Sequence, residues 1–182
     1  LFVGQKRKQN RLDEVWDNYD GGTFHTYKFD NEPDTDFILS ANQEWARQIR
    51  EKWQKKPGDP YATAPVVVGG EDLIDDREVV EMPDKSQLKE GVICGAYAKA
   101  KPEDLKKAVE IAKADPDGWR NLSRDERHQA LSKVAIEVRK KRGDLIGVAA
   151  AEVGKVFTET DVEVSEAVDF VEFYSEATRY FG

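Results

Sequence analysis

Few side chains in this sequence could do chemistry. Cys94 is the only thiol in 182 residues. It sits in Val92-Ile93-Cys94-Gly95-Ala96 with no histidine or cation nearby in sequence to lower its pKa, so it reads as a buried structural cysteine and not as a nucleophile. His25 and His128 are far apart, and neither has a second ligand at helical or turn spacing, so no metal is expected. His128 falls on the polar side of its segment and is expected in solvent. Gly154-Lys155 looks like the end of a phosphate loop, but such a loop needs glycine at 149 and a hydroxyl at 156, where Ala149 and Val156 stand. No G-x-G-x-x-G dinucleotide fingerprint occurs. Glu159, Asp161, Glu163 and Glu166 crowd one stretch, where carboxylates compensate the dipole of a helix start. Trp45 and Trp53 share a helical stripe, which argues for packing and not for base stacking. These residues make no complete catalytic constellation.

Composition narrows the class. Lys plus Arg total 28 against 36 Asp plus Glu, a formal charge of −8 that would repel a phosphate backbone, so nucleic acid is not expected as a partner. Mean hydropathy is −0.71, and no run approaches the roughly 20 apolar residues of a membrane span. A single cysteine and no charged-then-apolar leader point to a soluble protein in a reducing cytoplasm. The chain starts at Leu1 without an initiator Met and stops just after a strongly amphipathic segment, so a piece of a longer protein is expected.

The elements that must hold these side chains follow from pattern. Residues 1–35 read as an irregular arm, with a basic cluster at Lys6, Arg7, Lys8 and Arg11, a break at Gly21-Gly22 and turn chemistry at Asn31-Glu32-Pro33-Asp34. A helix then fits Ser40 as N-cap with Gln43 three residues on, carrying Trp45, Ile49 and Trp53 and ending before Pro57-Gly58. Prolines between 55 and 65 suggest a boundary near residue 60. Three strand candidates follow, at 64–68, 78–82 and 91–97. Pro102 opens a helix with Leu105, Ala108, Val109 and Ala112 on one face, ended by Asp115-Pro116. Ser123 with Glu126 caps the next, which ends at Lys140-Lys141-Arg142-Gly143; a short one runs from Asp144 to about Val153, and the last from about Glu159 to Tyr180. The fold class is α+β, mainly helical.

From Gly95 to Tyr174 the chain resembles the N-terminal part of the aldehyde dehydrogenase superfamily. The resemblance rests on Glu103-Asp104-Leu105 with Ala108-Val109 and Ala112, on Trp119 after a proline turn, and on Arg127-His128 with Leu131. It continues through Glu152-Val153-Gly154-Lys155 and through Glu163-Val164 and Glu166-Ala167-Val168-Asp169-Phe170 to Phe173-Tyr174. The last two groups are most similar to the branch that oxidises L-glutamate γ-semialdehyde, the hydrolysed form of Δ1-pyrroline-5-carboxylate. Phe29 to Phe37, Ala41-Asn42 and Trp45 resemble the connection in bifunctional proline utilisation A proteins, where an FAD-dependent proline dehydrogenase barrel precedes the aldehyde dehydrogenase.

The resemblance implies an N-terminal helical layer and short strands of an aldehyde dehydrogenase fold. Residues 1–60 would be an extended arm and linker helix following the barrel, and 61–182 the N-terminal segment of the dehydrogenase. NAD would be the parent enzyme's cofactor. The nucleophilic cysteine, general base and main cofactor contacts lie in later family sequence, so no catalytic residue is expected here and the isolated segment should be inactive. Glu159 stands where that branch places an acidic residue near the substrate's α-amino group. The expected partners are the rest of the parent chain, a small-molecule substrate and further copies in a homo-oligomer. The alternative is a non-catalytic helical interaction module using the Trp45, Ile49 and Trp53 stripe.

Overall fold

Pro65 and the Gly69-Gly70 pair decide how the extended stretch after residue 62 is cut. The computed structural model describes residues 9–16, 29–87 and 91–181, so His25, Lys6 to Lys8 and Gly21-Gly22 lie outside the described residues. By packing, the chain forms two units, one of residues 1–53, 124–150 and 155–182, the other of 54–123 and 151–154.

In the second unit, Pro65 separates β1 (Thr63–Ala64) from β2 (Val66–Val68), because proline cannot donate to a ladder. β2 pairs antiparallel with β3 (Glu71–Leu73), a strand its polar sequence conceals. Gly69 and Gly70 both have left-handed φ, +63° and +83°, as a two-residue hairpin loop requires. A Cβ on Gly69 would also meet Ile111 Cδ1 at 2.7 Å. β5 (Ile93–Ala98) is the middle strand of the other sheet, parallel to β1 (Thr63 opposite Ala96) and antiparallel to β4 (Val79–Pro83; Val79 opposite Ala98). Ala96 within it and Val92 just before it are buried.

Helix α2 (Pro102–Ala114) starts with proline at a position where the missing N–H costs nothing. Asp104 accepts the Lys101 N–H at 2.8 Å and holds the Arg77 guanidinium at 2.8 and 3.0 Å. The helix stops at Asp115, whose φ is +53°. Its apolar stripe stands exposed at Leu105 and Val109, as a docking face would.

The first unit is built from α1 (Ser40–Trp53), α3 (Arg124–Lys140), most of α4 (Arg142–Val153) and α5 (Phe157–Phe181). Helix α1 begins at the expected cap itself, one residue earlier than the sequence suggests: Leu39 already accepts the Gln43 N–H at 3.0 Å, because a turn at Asp36 winds directly into the helix. Ile49 is buried, and Trp45 and Trp53 cover the glycines of α4. A Cβ at Gly147 would lie 2.5 Å from Cγ and Nε1 of Trp53, so only hydrogen fits beneath that ring. Ala135, Ile146, Val164 and Val168 fill the core between helices.

The exposure expected of His128 is corrected. It is 3% exposed, with Nδ1 3.0 Å from Ser175 Oγ and Nε2 3.7 Å from Glu176 Oε2. The polar side of α3 meets the polar side of α5, so a polar helix face is here an interior face. Arg11, the one member of the expected basic cluster among the described residues, is likewise buried, 6% exposed. Among the described residues no helix is long and apolar enough to cross a membrane.

Candidate functional site

Gly154, with φ +75°, ends α4, and α5 starts three residues later, which places Glu159 in its first turn. A carboxylate there is favoured by the unpaired N–H groups of the helix start. Glu159 is exposed, and neighbouring Lys155 pairs instead with Glu163. An exposed carboxylate at a fixed helix terminus can receive an ammonium group.

What fixes that terminus is a buried ionic network. Asp161 is 1% exposed. Its carboxylate accepts the Thr35 N–H and hydroxyl, each at 2.6 Å, and an Arg142 Nη1 N–H at 2.9 Å; Arg142 also reaches the Asp161 carbonyl at 3.2 Å. Glu32 accepts from Arg139 Nε and Arg142 Nη2, both at 2.9 Å. Arg139 also donates to Glu172 at 2.5 Å and stacks 5.1 Å above the Trp16 ring. Burial alone would lower the Arg139 pKa, but its bonds to Glu172 and Glu32 outweigh that and raise it. Arg11 donates to Thr35 Oγ1, the Pro33 carbonyl and Glu14. Sequence reading missed this network. Glu32 reads as a turn residue and Thr35 as the end of an irregular arm, and no spacing pairs them with residues more than a hundred positions away.

A cavity of about 250 Å³ opens beside the network between Trp16, Trp45, Arg11, Arg139 and Arg142. Its guanidinium groups already face Glu14, Glu32 and Asp161, so its charge serves structure. Cys94 is half-buried on β5 and donates to the Met82 carbonyl at 3.2 Å. Burial, and then the negative charges of Asp84 and Glu152, push its thiol pKa up, the reverse of what a nucleophile needs. Among the described residues no three His, Cys, Asp or Glu side chains are grouped to hold a metal. The passage from strand to helix at β5–α2 runs through Lys99-Ala100-Lys101 without the glycines that let a backbone approach a dinucleotide's phosphates. This turn therefore does not form a glycine-rich dinucleotide cradle.

Comparison with known proteins adds to this geometry. The profile of the Aldehyde dehydrogenase family matches residues 76–181, more than half of the chain. Among curated relatives, the 1-pyrroline-5-carboxylate dehydrogenase of Bacillus pumilus is 29% identical over 150 residues, 82% of this chain and 28% of the relative. That of Bacillus cytotoxicus is 30% identical over 146 residues, 80% of this chain and 27% of the relative. Of solved structures, a 1-pyrroline-5-carboxylate dehydrogenase superposes with a TM-score of 0.74 at 27% identity, covering 84% of this chain and 28% of the other. Proline utilization A from Bdellovibrio bacteriovorus, inactivated by N-propargylglycine, gives 0.74 and 27%, covering 84% and 15%. The Thermus 1-pyrroline-5-carboxylate dehydrogenase with bound NAD gives 0.70 and 28%, covering 84% and 28%. The chain thus spans under a third of the length of the curated relatives it matches.

Proposed function

We propose a function from one premise: the chain belongs to the aldehyde dehydrogenase family. It is the N-terminal part of an NAD-dependent L-glutamate γ-semialdehyde dehydrogenase, which oxidises the semialdehyde to glutamate in proline catabolism. The observation that carries this reading is the agreement of relatives and solved structures at 27–30% identity on one activity over four-fifths of the chain. NAD would supply the hydride acceptor in the parent enzyme. In this reading the nucleophile and the main cofactor contacts lie elsewhere in the parent enzyme, and the 182-residue segment alone is inactive.

Within that enzyme Glu159 receives the α-ammonium of the semialdehyde. Its exposure at the start of α5 supports the role, since an ammonium held there also requires the turn beneath it to stay still. The test is kinetic. Glu159→Ala in the full-length enzyme, followed by NADH formation, should raise KM for the semialdehyde by about tenfold, the loss expected of one charge-assisted contact. An unchanged KM removes the assignment.

A second reading is favoured by the Bdellovibrio match, in which the same stretch makes up 15% of a longer chain. There residues 1–60 carry the connection from a preceding FAD-dependent proline dehydrogenase barrel, and 61–182 begin the dehydrogenase. The match to the Bacillus pumilus relative already takes in 150 of 182 residues, so it starts no later than residue 33, and much of the connection is shared with that relative too. Proline-dependent reduction of a dye by the full-length protein would favour the bifunctional arrangement. The reading carries with it a cytoplasmic setting and a homo-oligomer, with the exposed stripes at Leu105, Val109, Phe170 and Tyr174 covered in the full assembly.

A further inference from the structure

We propose that residues 29–36 are a positioning strap that holds the first turn of α5, and with it Glu159, against the corner between α3 and α4. The link to Glu159 rests on the functional reading above; the holding of the turn does not.

A flexible tether would leave its polar groups in water. Glu32 and Thr35 are both 8% exposed, and their side chains, with the Asn31 amide, bond to groups on helices, while Arg11 takes the Pro33 carbonyl and the Thr35 hydroxyl oxygen. At one end the Asn31 amide and the Glu32 N–H both donate to Asp169, each at 2.7 Å. At the other, the Thr35 N–H and hydroxyl both donate to Asp161. The two anchors stand eight residues apart on α5, about 12 Å along its axis at 1.5 Å per residue. From Glu32 to Thr35 an extended chain reaches only about 10 Å at 3.3 Å per residue. The strap therefore runs antiparallel to α5 with little slack, and Pro33 within it has a fixed φ.

Glu32 then ties the strap to the α3–α4 corner through Arg139 and Arg142, and Arg142 grips both the carboxylate and the carbonyl of Asp161. Glu32 and Asp161 are buried carboxylates, tolerable only while their partners stay, so the Asp161 anchor cannot slip by itself. Glu159 lies two residues before Asp161. A displacement of that turn moves the carboxylate, and errors of about 1 Å in positioning can cost up to about a hundredfold in rate.

The test uses the full-length parent enzyme with Thr35→Val, which keeps the shape and the backbone donor but removes the hydroxyl held between Asp161 and Arg11. Asn31→Ala perturbs the other anchor. Amide exchange at residues 157–165 should quicken about fivefold or more in Thr35→Val while residues 124–135 hold their rate. KM for the semialdehyde should rise about fivefold with kcat within about twofold, and Thr35→Ser should restore both. Unchanged exchange at 157–165, an equal quickening in every helix, or no rescue by serine overturns the strap. A changed exchange with unchanged KM, in an enzyme whose Glu159→Gln variant does raise KM, overturns the link to Glu159. If Glu159→Gln itself leaves KM unchanged, the functional reading fails together with that link, and the exchange result alone decides whether the strap holds the turn.

Discussion

Replacing Gly147 by alanine sets two effects of known size against each other. In an exposed helix the change would stabilise by about 1 kcal/mol, because alanine has less backbone freedom to lose. Here the new Cβ would lie 2.5 Å from two atoms of the Trp53 ring, well inside the 3.4 Å at which ordinary contact begins. The obstacle is a rigid ring, and its Nε1 also reaches Asp144 at 3.3 Å. Overpacking of this kind costs about 1–3 kcal/mol, so the net expectation is a loss of about 1 kcal/mol. Gly143 is the control in the same helix. Its Cβ would meet Ile49 at 3.2 and 3.3 Å and Trp45 at 3.5 Å, which a shift of a few tenths of an ångström relieves. Gly143→Ala should therefore be neutral or slightly stabilising. Urea unfolding of the 182-residue chain followed by far-ultraviolet circular dichroism measures both. Equal midpoints for the two variants, or a raised midpoint for Gly147→Ala, would refute the claim that Trp53 requires glycine beneath it.

The remaining expectations come from the interior. Glu32→Ala leaves Arg139 and Arg142 each short of a buried carboxylate and should cost about 3–5 kcal/mol in the same unfolding assay, with Glu32→Gln milder. Burial lowers the pKa of His128 from its ordinary 6.5, against the opposing charges of Glu176, Asp125 and Glu172 and with the help of Arg179. The folded state then binds its proton less readily than the unfolded state, so the His128 contribution is complete above pH 6.5 and is lost as pH falls through the lowered folded value. Stability of His128→Gln should fall less than that of the natural sequence between pH 7 and about pH 5; equal slopes would contradict the burial. Cys94→Ala in the full-length enzyme should keep kcat within about twofold, since its thiol is protonated and donated to a carbonyl; a loss of several orders would make it the nucleophile after all.

Local pattern determined a good deal of this protein. Pro102, Asp115-Pro116 and Gly154 punctuate helices through rules that need only neighbouring residues, and the four-residue spacing of Trp45, Ile49 and Trp53 marks a packed face wherever it occurs. The ordered run from Glu103 to Tyr174 was enough to point to the family whose profile covers residues 76–181. Tertiary structure decided the charged interior. His128 reads as a solvated side chain and Asp161 as one of several helix-start carboxylates, yet both are buried, because helical periodicity separates polar from apolar faces but does not say which polar face meets another. Glu32 read as part of a turn and Thr35 as part of an irregular arm because their partners are Arg139, Arg142 and Asp161, more than a hundred residues away, and a pairing across that distance exists only once the chain has folded.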